Sequence, residues 1–193
     1  TGPKSPPLKV LVVCPTLEPG HRIPAPVEFA NALVSEGAAV MFAAAVGPLR
    51  PGLTRKVGYV LIDNAEQAPV KTAHEISRVI RHHHPDVVHA HGMRCALVTA
   101  LAIKASRVRV ARVMTHHTAQ LRRMPRFLKG PLISHCADRF VAVSKALKEE
   151  LESLGVPPDR IRVDSGDAAH AEKAARHSIA VYRELLAPAD GAN

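Results

Sequence analysis

The sequence predicts an α/β fold in which a single doubly wound parallel sheet of about seven strands is flanked by helices. Short runs of branched aliphatic residues alternate with longer amphipathic segments along the whole chain, which is the pattern of strand–helix–strand units. Hydrophobic residues make up 47% of the chain but aromatic residues only 3%, so Ala, Val, Leu and Ile must build the core. This composition is typical of helices packed on a buried parallel sheet. At 193 residues, one domain is the simplest organisation.

The first half of the chain contains four predicted strands and two predicted helices. Residues 8–14 are an apolar run that ends at Pro15, as a strand leading into a loop does. The helix that follows begins at Pro24 or Pro26 and ends at Gly37, the residue types favoured at those positions. The next elements in order are strands over 38–46 and 57–62, an amphipathic helix over 70–83 that stops before Pro85, and a strand over 86–90.

The second half continues the alternation. It contains a helix over 94–105, a strand over 108–114, a helix over 127–137 and a strand over 139–143. Ser144 caps a helix over 145–154, because a serine hydroxyl accepts a hydrogen bond from the first turn. A short strand over 161–163 and a helix over 168–186 complete the chain. The residues of that last helix predicted to be buried are Ile179, Val181, Tyr182, Leu185 and Leu186.

In a sheet of this kind the functional loops lie at the carboxyl ends of the strands, where the strand order reverses. The loops after Cys14, Ala90 and Met114 are therefore predicted to surround one crevice.

The charge balance favours acidic partners. The chain carries 26 Lys and Arg against 17 Asp and Glu, a formal net charge of +9. Nucleotide diphosphates, phospholipid headgroups and nucleic acid all suit such a field. Specific nucleic-acid binding is disfavoured, because the few aromatic residues lie mostly in predicted core segments and leave no platforms for base stacking.

Cysteine usage and hydropathy indicate a cytoplasmic protein. Cys14, Cys95 and Cys136 lie far apart in apolar segments, so we expect buried thiols of a reducing compartment. No apolar stretch approaches the ~20 residues that span a bilayer. Residues 1–7 lack the hydrophobic core of a signal peptide and are expected to be a disordered lead-in, and residues 188–193 a disordered tail.

Five segments carry a resemblance to one family. ADRFVAVSKAL (137–147) and LGVPPDRIRV (154–163) resemble the end of the N-terminal domain of family 4 glycosyltransferases. PDVVHAHG (85–92) is similar to the family's strand-plus-loop motif, THHT (115–118) to its Thr-x-His segment, and ANALVSEG (30–37) to its first helix.

The resemblance implies half of a retaining, two-domain enzyme of GT-B fold. Residues 8–163 would be its Rossmann-like N-terminal domain, which mainly shapes the acceptor site. The C-terminal domain of the family, which makes most contacts to the nucleotide-sugar donor, has no counterpart here. Residues 168–187 resemble the last helix of the full enzymes, which crosses back onto the N-terminal domain, and residues 164–167 would be a short junction. An ordinary terminal helix is the alternative. No cofactor is expected beyond the parent enzyme's nucleotide sugar.

The loop before the first helix is one candidate site. Gly20, His21 and Arg22 occupy the position of the family's Gly-Gly-x-Glu segment, of which only Gly20 matches. Backbone N–H groups at a helix start bind anions, so the loop is a candidate phosphate site. A plain surface loop is the competing interpretation.

Two histidines are candidates at the crevice. His91, followed by Gly92, is predicted to donate a hydrogen bond to a phosphate or an acceptor hydroxyl, the alternative being a histidine that caps its own loop. His117 matches the family's Thr-x-His histidine, and the resemblance places it near the reacting sugar. His116 is the weaker candidate because neighbouring strand residues point in opposite directions. His89, within the strand, is predicted to be structural.

Three arginines follow the Thr-x-His segment closely in the sequence. Arg122, Arg123 and Arg126 are candidates for holding an anionic acceptor or a membrane headgroup, with a solvated basic surface as the alternative. His82, His83 and His84 do not indicate a metal site, because three consecutive ligands cannot converge on one ion and they lie at a helix C-terminus, where polar side chains are favoured anyway.

Three hypotheses of function remain. The first is an isolated acceptor-side half that folds but does not catalyse transfer alone. The second is an active glycosyltransferase formed by a homodimer across the open cleft face, or with a separate donor-binding chain. The third is a non-enzymatic module that binds an anionic lipid or nucleotide, with peripheral contact at the inner membrane surface.

Overall fold

Seven parallel strands form the central sheet of the computed structural model, which describes residues 6–14, 26–47, 50–64, 67–117, 132–164 and 171–187. In chain order the strands are β1 (Lys9–Cys14), β2 (Ala39–Ala44), β3 (Gly58–Leu61), β4 (Val87–His91), β5 (Ala111–His116), β6 (Arg139–Ala142) and β7 (Ile161–Val163). They lie side by side in the order β3-β2-β1-β4-β5-β6-β7, and all six neighbouring pairs are parallel.

Helices connect most of these strands. They are α1 (Pro26–Ser35), α2 (Pro69–His83), α3 (Met93–Ser106), α4 (Lys145–Ser153) and α5 (Ala171–Leu186), and residues 132–136 are also helical. The predicted capping of α4 is confirmed, since the Ser144 hydroxyl accepts a hydrogen bond from the Leu147 N–H at 3.2 Å.

The sheet divides the interior into two apolar layers. On one face, α1 and α5 pack against strand residues such as Val12, Phe42 and Val113. On the other face, α2, α3, α4 and the helical residues 132–136 pack against the alternate strand residues. Helices therefore cover both faces, and the predicted doubly wound parallel α/β fold is confirmed.

The strand order reverses between β1 and β4. The chain proceeds outward from β1 through β2 to β3 and then returns to β4, which lies on the other side of β1. The helices that follow these two strands, α1 and α3, pack on opposite faces of the sheet. The carboxyl ends of β1 and β4 are therefore the place where open α/β sheets of this topology bind ligands in a crevice. β4 also pairs with β5, with His91 opposite Thr115.

Two strands differ from their predicted bounds in a way that matters for the site. β4 continues through His91 instead of ending at Ala90, because His91 pairs with β5. β5 begins at Ala111 and runs to His116, instead of spanning 108–114. Both strands therefore extend further toward the crevice than local hydropathy indicated.

The last helix, α5, packs beside α1 on the same face of the sheet and also contacts β5. Ile179, Val181 and Tyr182 are buried, as predicted. The prediction for the final turn is wrong, because Leu185 is only partly buried and Leu186 is exposed. The reason is position: Leu186 lies on the rim of a surface groove beside Leu8 and Lys9, at the amino edge of the sheet.

The three cysteines are buried and form no disulfide. Within the described ranges, no helix has the length and apolar character needed to cross a lipid bilayer.

Candidate functional site

Three imidazole rings are stacked at the carboxyl ends of β4 and β5. The rings of His89 and His91 are nearly parallel, at 13°, with centroids 4.9 Å apart. The ring of His117 continues the stack at 11° and 5.2 Å from His91. The ring of Phe29 in α1 makes T-shaped contacts with both His89 and His91, with centroids 5.1 and 5.3 Å apart. We refer to His89, His91 and His117 as the histidine stack.

Strand geometry explains why the stack forms. Side chains two residues apart in a strand lie on the same face, so His89 and His91 both point toward α1 and α5. Gly92 then turns the chain into α3 with φ +86°, a conformation that favours glycine. His117 follows β5 directly and approaches the stack from the neighbouring strand.

His89 is fully buried, and both of its ring nitrogens have side-chain partners. Nδ1 is hydrogen-bonded to the hydroxyl of Tyr182 in α5, and Nε2 lies 2.5 Å from Oγ1 of Thr115 in β5. His89 therefore connects the last helix of the chain with the two central strands of the site.

His91 differs from His89 in that one ring nitrogen lacks a partner. Its Nδ1 lies 3.0 Å from Nε2 of His117, so one of these two nitrogens carries the shared proton. Its Nε2 is buried and has no hydrogen-bond partner among the residues that the structure describes. A buried polar atom of this kind is uncommon in folded proteins, and a role in binding or catalysis is one of its recognised explanations.

The inner part of the stack is neutral at physiological pH. Burial, together with the neighbouring His117, lowers the pKa of His89 to about 3. Burial and the proximity of His89 hold the pKa of His91 well below its usual value. These rings therefore act as hydrogen-bond donors and acceptors and not as cations.

His116 points away from the stack, as the alternation of strand residues predicts. It is buried on the opposite face of the sheet, and its Nε2 lies 3.1 Å from a carboxylate oxygen of Glu150 in α4. The two consecutive histidines thus belong to different layers of the protein.

The structure brings together some of the predicted site residues. His91, Gly92 and His117 lie together at the crevice. The predictions that concern Gly20, His21, Arg22, Arg122, Arg123 and Arg126 fall outside the described residues.

Sequence reasoning missed the contribution of Phe29, Thr115 and Tyr182. His89, which was predicted to be structural, is buried with both ring nitrogens hydrogen-bonded. The spacing of His89 and His91 indicates that their side chains share a face, but nothing in the sequence indicates Tyr182, which is 93 residues from its partner.

The histidine triplet at the end of α2 lies far from the stack. His82 and His83 are in the last turn of the helix and contact each other edge to face, and His84 caps it in a left-handed conformation. In the part of the chain that the structure describes, no group of three or more His, Cys, Asp or Glu side chains is arranged to hold a metal ion.

Comparison with known families gives one assignment. The model of the family described as Glycosyltransferase Family 4 matches residues 27–163, which include the histidine stack. No curated protein matches the chain significantly.

Several solved structures have a similar fold. A glycosyltransferase from Rickettsia africae ESF-5 is 19% identical, with a TM-score of 0.66, over 81% of this chain and 42% of its own. HepE from Anabaena, solved in complex with UDP, is 14% identical, with a TM-score of 0.61, over 81% and 43%. UDP-GlcNAc 2-epimerase from Methanocaldococcus jannaschii is 17% identical, with a TM-score of 0.58, over 95% and 54%. The chain thus spans about half the length of these proteins, and at such identity the likeness concerns the fold.

Proposed function

The chain belongs to glycosyltransferase family 4, and from this premise we propose that its 193 residues act as the acceptor-side half of a sugar-nucleotide-dependent glycosyltransferase. On its own, this half binds one reactant and does not complete the transfer. The observation that carries the proposal is the buried Nε2 of His91, which has no partner within the described ranges and lies where the strand order reverses.

The protonation state of the stack determines what it binds. Because His91 is neutral, it forms one directed hydrogen bond and exerts no net attraction on a charge. The proposed partner is a hydroxyl or phosphate oxygen of an anionic sugar acceptor. His117, whose Nε2 is 3.0 Å from His91 Nδ1, sets which nitrogen of His91 carries the proton. When His117 donates to Nδ1, the Nε2 of His91 is left as a donor toward the ligand.

The same geometry supports the absence of turnover by the isolated half. Transfer requires groups that stabilise the leaving diphosphate while the acceptor attacks the sugar, and such groups must surround the reacting atoms. The histidine stack lies along one wall of the crevice. In the two-domain arrangement of the family, a second domain faces that wall and holds the donor.

Histidine side-chain NMR tests the first part of the proposal, that the site binds a ligand through His91. We expect glucose 1-phosphate to shift the ring ¹⁵N signals of His91 and His117. Glucose and inorganic phosphate are used separately to probe the sugar and the phosphate of this compound. His91→Leu removes the ligand-facing nitrogen and should abolish the effect. His74→Gln is the matched control, because His74 is exposed on α2, on the other face of the sheet. Shifts that persist in His91→Leu would place the ligand elsewhere.

A hydrolysis assay tests the second part of the proposal, that the isolated chain does not complete the transfer. The isolated chain should release no glucose from UDP-glucose above the rate of a heat-denatured sample, with light scattering recorded in parallel to define its oligomeric state. Turnover by a monomer would refute the proposal, and turnover that appears only with a dimer would favour self-association across the cleft.

A further inference from the structure

Helix α5 lies outside the segment that matches the family, residues 27–163, yet it contributes a side chain to the histidine stack. Tyr182 is completely buried in the layer between α1 and the sheet, and its hydroxyl is hydrogen-bonded to Nδ1 of His89. A buried phenol hydroxyl needs a hydrogen-bond partner, and the partner here is an imidazole at the base of the proposed ligand site.

We propose that Tyr182 is a positioning residue for this site: its O–H donates to Nδ1 of His89, which fixes the His89 proton on Nε2 and holds the ring against which His91 stacks. The structural part of the proposal is independent of the activity, and its effect on ligand binding rests on the proposed function.

The surroundings of the phenol support this direction of the hydrogen bond. Burial raises the pKa of Tyr182 far above its usual value, so the hydroxyl keeps its proton and can donate it. Ser178, one helical turn earlier, is a second hydrogen-bond partner of the phenol and lowers that pKa. In the proposed arrangement, the phenol oxygen accepts from Ser178 and directs its own proton to His89.

The same proton arrangement fits the other side of the ring. With Nδ1 accepting from Tyr182, Nε2 carries the proton of the neutral imidazole and donates to Oγ1 of Thr115, 2.5 Å away. Hydrogen bonds at both nitrogens prevent the ring from rotating about its Cβ–Cγ bond. The ring of His91 stacks on this fixed ring, and Phe29 makes T-shaped contacts with both.

The inference predicts that residues 27–163 form an incomplete site. His91 and His117 both belong to the matched segment, but the group that fixes the base of the stack comes from α5. Packing of this helix on α1 therefore serves the site as well as stability.

The chain contains two tyrosines, which provides a matched pair of variants. Tyr182→Phe removes the hydroxyl at the stack and keeps the ring. Tyr59→Phe removes the hydroxyl that donates to the Ala44 and Ala45 carbonyls near β3, away from the site. In the wild type and in Tyr59→Phe, long-range ¹H–¹⁵N spectra should show His89 protonated on Nε2 only. In Tyr182→Phe, we expect a mixture of both His89 tautomers and shifted His91 signals.

Thr115→Val provides a second variant, which keeps the proposal testable if Tyr182→Phe folds poorly. Since Tyr182 still donates to Nδ1, the His89 proton should stay on Nε2. The opposite pattern, a mixture in Thr115→Val and a single tautomer in Tyr182→Phe, would overturn the proposal by assigning the fixing role to Thr115. A His89 proton on Nδ1 in the wild type would overturn it as well.

Ligand affinity separates this inference from the proposed function. Titration with glucose 1-phosphate should give roughly three- to tenfold weaker binding in Tyr182→Phe, the effect expected of losing one neutral hydrogen bond that orients a ligand group, and unchanged binding in Tyr59→Phe. If the wild type does not bind the probe, the proposed function fails while the tautomer measurement still decides the role of Tyr182. Equal affinity of the three proteins would refute the link between Tyr182 and the ligand.

Discussion

His89 and His91 lie two residues apart on the same face of β4, yet their burial has different energetic consequences. Both nitrogens of His89 are hydrogen-bonded, whereas Nε2 of His91 is buried without a partner in the described part of the chain. An unpaired buried polar atom costs about 1–3 kcal/mol of stability. This difference between two histidines of the same strand face supports the proposal that His91 binds a ligand.

Leucine substitutions separate the two roles. His89→Leu leaves the hydroxyls of Tyr182 and Thr115 without their buried partner, and we expect it to lower the free energy of unfolding by roughly 2–4 kcal/mol. His91→Leu removes an unpaired nitrogen and leaves only the half-buried His117 to reorganise, so its cost should be below about 1 kcal/mol. Urea unfolding of the three proteins measures both values. Equal costs would contradict the difference that the hydrogen bonds imply.

At the scale of elements, α5 combines two functions. It covers one face of the sheet together with α1, and it supplies the phenol that is hydrogen-bonded to His89 of the histidine stack. Burial of a large side chain stabilises a protein by ~1.5–3 kcal/mol. Ile179, Val181 and Tyr182 together therefore contribute an amount comparable with the ~5–15 kcal/mol that separates folded from unfolded domains.

Removal of α5 tests this dependence. A chain that ends at Asp164 exposes the apolar face of α1 and the sheet, and we expect it to be insoluble or to unfold without a cooperative transition. A chain that ends at Ala187 keeps the whole helix and serves as the control, with an unchanged melting temperature. If the shorter chain melts cooperatively at the same temperature, α5 does not contribute to the core as its burial indicates.

The sequence predicts those features of the fold that local patterns determine. Runs of aliphatic residues located all seven strands, and Ser144 and Gly37 marked helix ends correctly. The end of β4 was missed because His91 joins the strand only through its pairing with β5, which is a tertiary contact. The final turn of α5 has the same spacing of leucines as its buried part, and only the edge of the sheet decides that Leu186 is exposed.

The candidate site is less predictable than the fold for the same reason. His91 and His117 stand out in the sequence because they follow predicted strands. The side chains that complete the stack, Phe29 beside His91 and Tyr182 beside His89, come from helices at opposite ends of the chain. Their convergence depends on α1 and α5 packing side by side, which no local pattern encodes.

At the scale of the whole molecule, the neutral histidines link folding to pH. Burial lowers the pKa of His89 to about 3 and holds that of His91 well below its usual value. In the unfolded chain both return to about 6.5. Below that pH the unfolded state binds more protons than the folded state, so the stability contributed by these groups is complete above pH 6.5 and is lost as the pH falls toward 3.

We therefore expect the free energy of unfolding to decrease steeply between pH 6.5 and 5, by roughly 1 kcal/mol per pH unit for each buried histidine. Most carboxylates remain ionised over this interval, so their protonation contributes little to the slope. Urea unfolding at half-unit steps from pH 7.5 to 5 measures it. His91→Leu should reduce the slope by the share of one histidine, and His74→Gln, at an exposed position, should leave it unchanged. A wild-type profile that is flat over this interval would mean that the stack accepts protons in the folded state and is not a neutral, hydrogen-bonding site.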